Sequence, residues 1–371
     1  MPRTILVSIN SCWNVVNFRA ALVSDWITRG DRVIVAAPAD EYTQAMKALG
    51  CEHINITLSA RGTSPAEDLR LYREYRKIFR SLRPDVYLGY TIKPNIYGSL
   101  AARVAGIPII NNITGVGIGF ADGRLVTILI RALYRHALAR SHTIFFQNNE
   151  DRDRFVEAGL AALSSSQILP GSGVDIERFC PARRSSCGST FLMIGRVIRS
   201  KGVAEYVEAA REVRRVHPQA RFQLLGPTNF GGSDGFQSDT LNNWKEMGDV
   251  EFLGPTDDVR PFINRADCVV LPSYSEGVPR SLIEAAAMGK PLIATDIAGC
   301  RRIVQADVNG TLVPPRNSKA LATACREFLR LSHGQRQKMG AAGRELVTRQ
   351  FDDKIVVAKY AEAISRAIRA G

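Results

Sequence analysis

No run of about 18 uninterrupted apolar residues, the length a membrane-crossing helix requires, occurs anywhere in the chain. Met1 to Asn10 also lacks the basic region and small-residue cleavage site of a secretory signal and reads as a short buried strand. The expectation is a cytoplasmic protein. Cysteine is sparse and unpatterned: Cys12, Cys51, Cys180, Cys187, Cys268, Cys300 and Cys325 make an odd number with no CxxC spacing. That excludes a disulfide framework and a zinc knuckle and leaves reduced thiols. The five histidines form no HExxH or HxH pair, so the sequence offers no metal site. Acidic residues are outnumbered, 36 against 49 basic ones, for a net charge of +13. Such a surface attracts nucleic acid, anionic lipid or diphosphate-bearing substrates, and charge alone does not choose among them. Residues 61 to 140 carry much of the excess, with 13 Lys or Arg against 5 Asp or Glu.

What is present is ordinary globular composition, 45% hydrophobic and 23% charged over 371 residues, enough for two or three compact domains. Ile5 to Ile9 and Val33 to Ala37 are β-branched apolar runs, and between them Asn17 to Arg29 reads as a helix closed by Gly30. Strands at Asp85 to Gly89, Pro108 to Asn111 and Thr143 to Gln147 continue the rhythm, with a helix near Asn95 to Ala105. After a turn-rich stretch, Leu169 to Pro181, it restarts with strands at Thr190 to Ile194, Arg221 to Leu225, Val250 to Phe252, Cys268 to Leu271 and Pro291 to Ala294. Alternation of this kind predicts α/β architecture, two successive doubly wound parallel sheets with a hinge near 165 to 180. The division is 1–168, 169–352 and a final helix, 353–371, packing back on the first domain. No short-period repeat or low-complexity tract interrupts it.

Two helices of the first domain carry the basic excess. Ser64, Pro65, Ala66 and Glu67 form a capping box with proline at the first helical position. In the helix that follows, Arg70, Arg73, Arg76, Lys77, Arg80 and Arg83 share a stripe opposite Leu71, Tyr75, Ile78, Phe79 and Leu82. The second, 125–140, is broadly apolar with Arg124, Arg131 and Arg135 along one edge. Either both pack on the sheet with solvated cationic faces, or they rest on anionic headgroups, each basic side chain contributing on the order of 1 kcal/mol.

The segment Ser273 to Gly289 follows an apolar strand and holds Glu276 and Glu284 eight residues apart around Gly277, Val278 and Pro279. With Pro279 as the first helical residue, Glu276 stands beside a helix N-terminus, whose free amides suit a diphosphate. Gly195, Arg196, Lys201 and Gly202 follow the strand Thr190 to Ile194. Two fixed cations at the carboxyl end of a parallel strand would neutralise charge on a departing diphosphate.

The segments LPGSGVDIERF (169–179), GRVIRSKG (195–202), FLGPTDDV (252–259) and SEGVPRSLIEAAAMGKPLIATDIAG (275–299) resemble the signature run of family 4 glycosyltransferases. The resemblance implies the GT-B fold, two Rossmann-like doubly wound domains facing a cleft, with acceptor bound by the first and nucleotide sugar by the second. It places the donor phosphates on Arg196 and Lys201, the ribose on Glu284 and the donor sugar on Glu276, with Gly195, Gly277, Val278, Pro279, Ser281 and Leu282 around them. Phe252, Leu253 and Gly254 would border the base. The first domain, through TIKPNIYGSLAARVAGIP (91–108), NNITGVG (111–117) and FFQNNEDRDRF (145–155), is similar to bacterial enzymes that extend undecaprenyl-diphosphate-linked saccharides, including N-acetylgalactosaminyl transferases. That implies a UDP-sugar co-substrate, UDP-GalNAc first among them, a polyprenyl-diphosphate-linked saccharide acceptor and no metal or other cofactor. It also implies retention of configuration and peripheral attachment to the inner face of the plasma membrane through the basic helices 65–83 and 125–140. Acceptor contacts are expected from Asn14, Lys93, Asn95, Asn112 and Thr114.

Three departures stand beside this. No histidine occurs near Thr114 to Gly117, the loop Asn10 to Asn14 lacks paired glycines, and Arg302 replaces the acidic residue common after the Gly299 turn. Asp151, Arg152, Asp153 spells a metal-binding DxD but reads as the acidic first turn of a helix behind Asn148. Gly115, Gly117 and Gly119 miss the dinucleotide spacing. A sugar-nucleotide epimerase of the same fold and a non-catalytic nucleotide-sugar-binding protein remain open, whereas the chain lacks the aromatic-rich motif of an RNA binder.

Overall fold

The computed structural model describes residues 2–59, 64–115, 125–182, 189–228, 232 and 234–370. Gly117, Gly119 and Arg124 lie outside them. The chain divides into two compact units: Met1–Gly173 with Asp353–Gly371, and Val174–Asp352.

The first unit runs β1 (Thr4–Ser8), α1 (Cys12–Phe18), α2 (Ala20–Thr28), β2 (Arg32–Ala37), α3 (Thr43–Ala48), β3 (Glu52–Asn55), α4 (Pro65–Leu82), β4 (Val86–Tyr90), α5 (Ser99–Val104), β5 (Ile109–Ile113), α6 (Leu125–Leu138), β6 (Thr143–Phe146), α7 (Asn149–Glu157) and β7 (Ser166–Ile168). Its strands pair in parallel in the order β3-β2-β1-β4-β5-β6-β7. The central strands β4 and β5 are buried along their whole length because helices cover both faces, and β5 carries Asn111 and Asn112 into that interior. Where one expected helix spans Asn17 to Arg29, the chain forms two, broken at Arg19 (φ −132°, ψ 2°). A π-helical turn, Pro94–Gly98, leads into α5.

The second unit runs β8 (Thr190–Ile194), α8 (Val203–Val216), β9 (Arg221–Leu225), α9 (Ser238–Met247), β10 (Glu251–Gly254), α10 (Arg260–Arg265), β11 (Cys268–Leu271), α11 (Arg280–Ala287), β12 (Leu292–Thr295), α12 (Ala298–Arg301), β13 (Gly310–Val313), α13 (Ser318–Arg330) and α14 (His333–Gln350). Its order, β10-β9-β8-β11-β12-β13, repeats that of the first unit's leading six strands. Both are Rossmann-like sheets, with the order reversing between β1 and β4 and again between β8 and β11. The strands missing from the sequence reading, β3, β7 and β13, are all sheet edges, short and only partly buried.

The last helix, α15 (Asp353–Ala370), belongs to the first unit. Val356, Tyr360, Ala363, Ile364 and Ala367 recur at helical spacing and are buried in that unit's core. Tyr360 lies 4.8 Å from Phe145 and 6.2 Å from Trp26, ring centre to ring centre, and its hydroxyl accepts from Asn112 Nδ2 at 2.7 Å. Among the described residues no helix is long and apolar enough to cross a membrane. Tyr360→Ala is expected to lower the unfolding free energy by about 3–5 kcal/mol in urea denaturation; a loss below about 1 kcal/mol would mean that α15 contributes little to the unit.

Candidate active site

The second sheet's reversal point separates the loops that leave β8 and β11, and such separation opens a crevice at the carboxyl ends of parallel strands. Gly195 follows β8 and Arg196, beside it, is exposed. A 3₁₀ turn, Arg199–Lys201, then closes on Gly202. Gly202 has φ +73°, and a Cβ there would lie 2.1 Å from the Pro272 carbonyl, so only glycine lets the turn press against the end of β11. Tyr274 N–H donates to the Ser200 carbonyl at 2.9 Å across the same seam. Opposite, a Cβ on Gly299 would meet the Gly277 and Glu276 carbonyls at 2.4 and 2.5 Å. Two close backbone approaches thus fix the loops, and Lys201 Nζ donates to Glu276 Oε1 in a partly buried ion pair.

Pro279 is the N-cap of α11, one place earlier than the sequence reading put it, because its ψ of 114° is extended and Arg280 is the first helical residue. Just over one turn on, Glu284 is buried and accepts from Arg280 Nε at 2.7 Å. Burial pushes the Glu284 carboxyl up, Arg280 opposes this most strongly, and Arg178 adds to the opposition. Sequence reading had missed Arg280, although its i,i+4 spacing to a glutamate was visible. Arg178 also lines, with Asp258 and Arg260, a pocket of about 300 Å³. Leu282 is a core residue, so its side chain packs under the sheet and makes no wall of the site; Ser281 and Val278 are half-buried. Phe252, Leu253 and Gly254 form the end of β10, where the Gly254 carbonyl accepts from Gly226 N–H at 2.9 Å. Beneath the ion pair, burial pushes the Cys300 thiol far up, which removes it as a nucleophile.

Residues 188–330 match the family model "Glycosyl transferases group 1", and residues 14–148 match "Glycosyl transferase 4-like". The chain belongs to the family 4 glycosyltransferases. It is similar to the N,N'-diacetylbacillosaminyl-diphospho-undecaprenol alpha-1,3-N-acetylgalactosaminyltransferase of Campylobacter jejuni, 27% identical with 96% of each chain covered. An Escherichia coli UDP-Gal:alpha-D-GlcNAc-diphosphoundecaprenol alpha-1,3-galactosyltransferase is 24% identical over 68% of each. Among solved structures, a Rickettsia africae glycosyltransferase superposes with a TM-score of 0.80 at 18% identity over the whole of both chains. Anabaena HepE in complex with UDP-glucose superposes with 0.81 at 18% identity, over 98% of this chain and 100% of that one. The two sheets are those of the GT-B fold.

In the glycosyltransferase's first unit, the residues expected to meet an acceptor part company. Asn95 is buried in a core hydrogen-bond network: its Nδ2 donates to the Asn112 carbonyl at 2.9 Å and its Oδ1 accepts from Asn111 at 2.9 Å. Lys93 pairs with Asp68 of α4 at 2.7 Å. Asn112 is buried with Nδ2 on Tyr360, Asn14 donates to Asn10 at 3.0 Å, and Thr114 is exposed beyond β5. The DxD lookalike opens α7: Asn148 accepts from Asp151 N–H at 2.8 Å, and Asp153 pairs with Arg152. Arg302 lies with its guanidinium 5.9 Å from the Phe351 ring.

Because Glu284 holds its proton to higher pH in the folded chain than in the unfolded one, it lowers stability as pH rises through that interval, and Arg280 limits the loss. Arg280→Met should therefore destabilise by about 3 kcal/mol at pH 8, where a buried carboxylate is left unpaired. At pH 4, with Glu284 protonated, the loss should shrink; equal losses at both pH values in denaturant melts would refute the coupling.

Proposed function

We propose that the enzyme moves a hexosamine or hexose from a UDP-sugar, UDP-GalNAc first among donors, to a polyprenyl-diphosphate-linked saccharide, with retention of configuration and without a metal. The observation that carries the reading is the Lys201–Glu276 pair at the switch point of the second sheet. The Campylobacter and Escherichia relatives, both named as acting on undecaprenyl-diphosphate-linked sugars, support the acceptor class. In this reading the second unit holds the donor: Arg196 and Lys201 take the diphosphate, Glu276 the sugar hydroxyls, Glu284 the ribose, and the backbone of Phe252 to Gly254 borders the base.

Cleavage of the sugar–phosphate bond leaves its electron pair on the departing phosphate oxygen. Arg196 and Lys201 stabilise that charge, the work a divalent ion does elsewhere. The same oxygen accepts the proton of the attacking acceptor hydroxyl on the same face, which requires no protein nucleophile. Lys201→Ala and Arg196→Ala should each lower kcat by about 100-fold or more. Wild-type transfer, read by mass spectrometry as one added hexosamine or hexose on the lipid-linked saccharide, should survive EDTA. A strict Mn²⁺ requirement would exclude the metal-free mechanism, and isomerised UDP-sugar without any product would point to an epimerase.

The membrane face assigned to the first unit rests on α4, α5 and α6. Arg70, Arg73, Lys77 and Arg80 are exposed on α4. Leu69 beside them, Val104 on α5, and Ile128 and Leu129 on α6 are exposed large apolar side chains. Cations around apolar side chains suit the headgroup region of an anionic bilayer on the cytoplasmic side. The triple variant R73E/K77E/R80E should bind phosphatidylglycerol vesicles at least tenfold more weakly in sedimentation at low salt, and unchanged binding would remove this face.

A further inference from the structure

The first sheet has its own reversal point, between β1 and β4, and by the same topological rule a ligand of that unit belongs between the chain leaving β1 and the chain leaving β4. We propose that Arg19 binds the diphosphate of the acceptor there, with the side-chain amide oxygen Oδ1 of Asn112 in the same site; the inference rests on the acceptor reading above.

Arg19 stands at the break between α1 and α2 and is only 7% exposed. Among the described residues it has no carboxylate partner. Its Nη1 donates to the Phe18 carbonyl at 2.9 Å, its guanidinium lies 4.8 Å from the centre of the Tyr90 ring at the end of β4, and its Nε has no hydrogen-bond partner among the described residues. Burying a guanidinium without a counter-charge is among the least favourable arrangements a fold can hold. Arg344 in the second unit illustrates the structural alternative: it donates to the carbonyls of Phe179, Ala287 and Ile176. Arg19 has one such bond, so its charge is not consumed by the fold. Lys93, the cation among the expected acceptor contacts, is neutralised by Asp68.

Two further observations fall on the same strand ends. Asn112 pairs in register with Tyr90, and while its Nδ2 is held by Tyr360, its buried Oδ1 has no hydrogen-bond partner among the described residues. Thr91, one residue beyond Tyr90, adopts φ +64°, a left-handed conformation that is unfavourable for a β-branched side chain and gathers at ligand sites. A planar guanidinium matches two phosphate oxygens at once, and an amide oxygen accepts from a sugar hydroxyl. A diphosphate bearing a saccharide presents both.

The test compares the full-length enzyme with Arg19→Gln and Arg19→Lys at saturating UDP-sugar. One acceptor is a prenyl-diphosphate-linked saccharide and the other the same saccharide on a neutral alkyl chain. Arg19→Gln should raise KM for the diphosphate acceptor at least tenfold, leave KM for the donor within twofold, and use the alkyl glycoside as the wild type does; Arg19→Lys should recover part of the loss. With the wild type alone, inorganic pyrophosphate at saturating donor should compete with the diphosphate acceptor, a measurement that does not depend on a variant folding. Equal losses on both acceptors, an unchanged KM for the diphosphate acceptor, or pyrophosphate that competes only with the donor would overturn the proposal. Failure of the wild type to glycosylate either acceptor is a different result and removes the acceptor reading itself.

Discussion

The close contact of the β8 and β11 loops organises the carboxyl edge of the second sheet. A parallel sheet ordered 3-2-1-4-5-6 must send those two connections to opposite faces. They would diverge if nothing drew them back. Gly202 against Pro272 supplies that constraint at a distance no side chain permits, and Gly299 of α12, against the Glu276 and Gly277 carbonyls, holds the β11 loop from the β12 side. Lys201 and Glu276, 75 residues apart in the chain, can form an ion pair only because the backbone is held this way.

Pairing settles the electrostatics of the site. Lys201 has Glu276, and Glu284 has Arg280, so these charges of the second unit stand in compensated couples. Partly buried pairs of this kind hold their partners in one geometry but contribute little net stability, since desolvation offsets most of the attraction. Their value lies in orientation, which a site for a charged substrate needs more than it needs energy.

Much of this was legible in the sequence. The strand–helix rhythm predicts both sheets because buried strands of a parallel sheet are largely apolar, and the resemblance points to the two stretches that carry Arg196, Lys201, Glu276 and Glu284. The edge strands Glu52–Asn55, Ser166–Ile168 and Gly310–Val313 were not legible, because a half-exposed edge has no such pattern. Helix α4 emerged with its capping serine and proline as read, since those signals are local. The first unit's polar residues defeated a motif reading for the opposite reason. Whether Asn95, Lys93 or Arg19 has a partner depends on residues from distant elements, and spacing along the chain carries no information about it.

Under the proposed reaction, the pairing of Lys201 also bears on rate. A donor diphosphate arriving at Lys201 meets a cation already neutralised by Glu276, so the gain on binding is the difference between two ion pairs and is small. As the sugar–phosphate bond breaks, charge builds on the phosphate oxygen, and the balance at Lys201 shifts from the carboxylate toward the leaving group. Glu276 is then released to accept from donor hydroxyls as the sugar gains positive character. An interaction that is weak in the ground state and grows along the reaction coordinate lowers the barrier without deepening the substrate well. A lone lysine in that place would bind the donor more tightly and gain less from its departure.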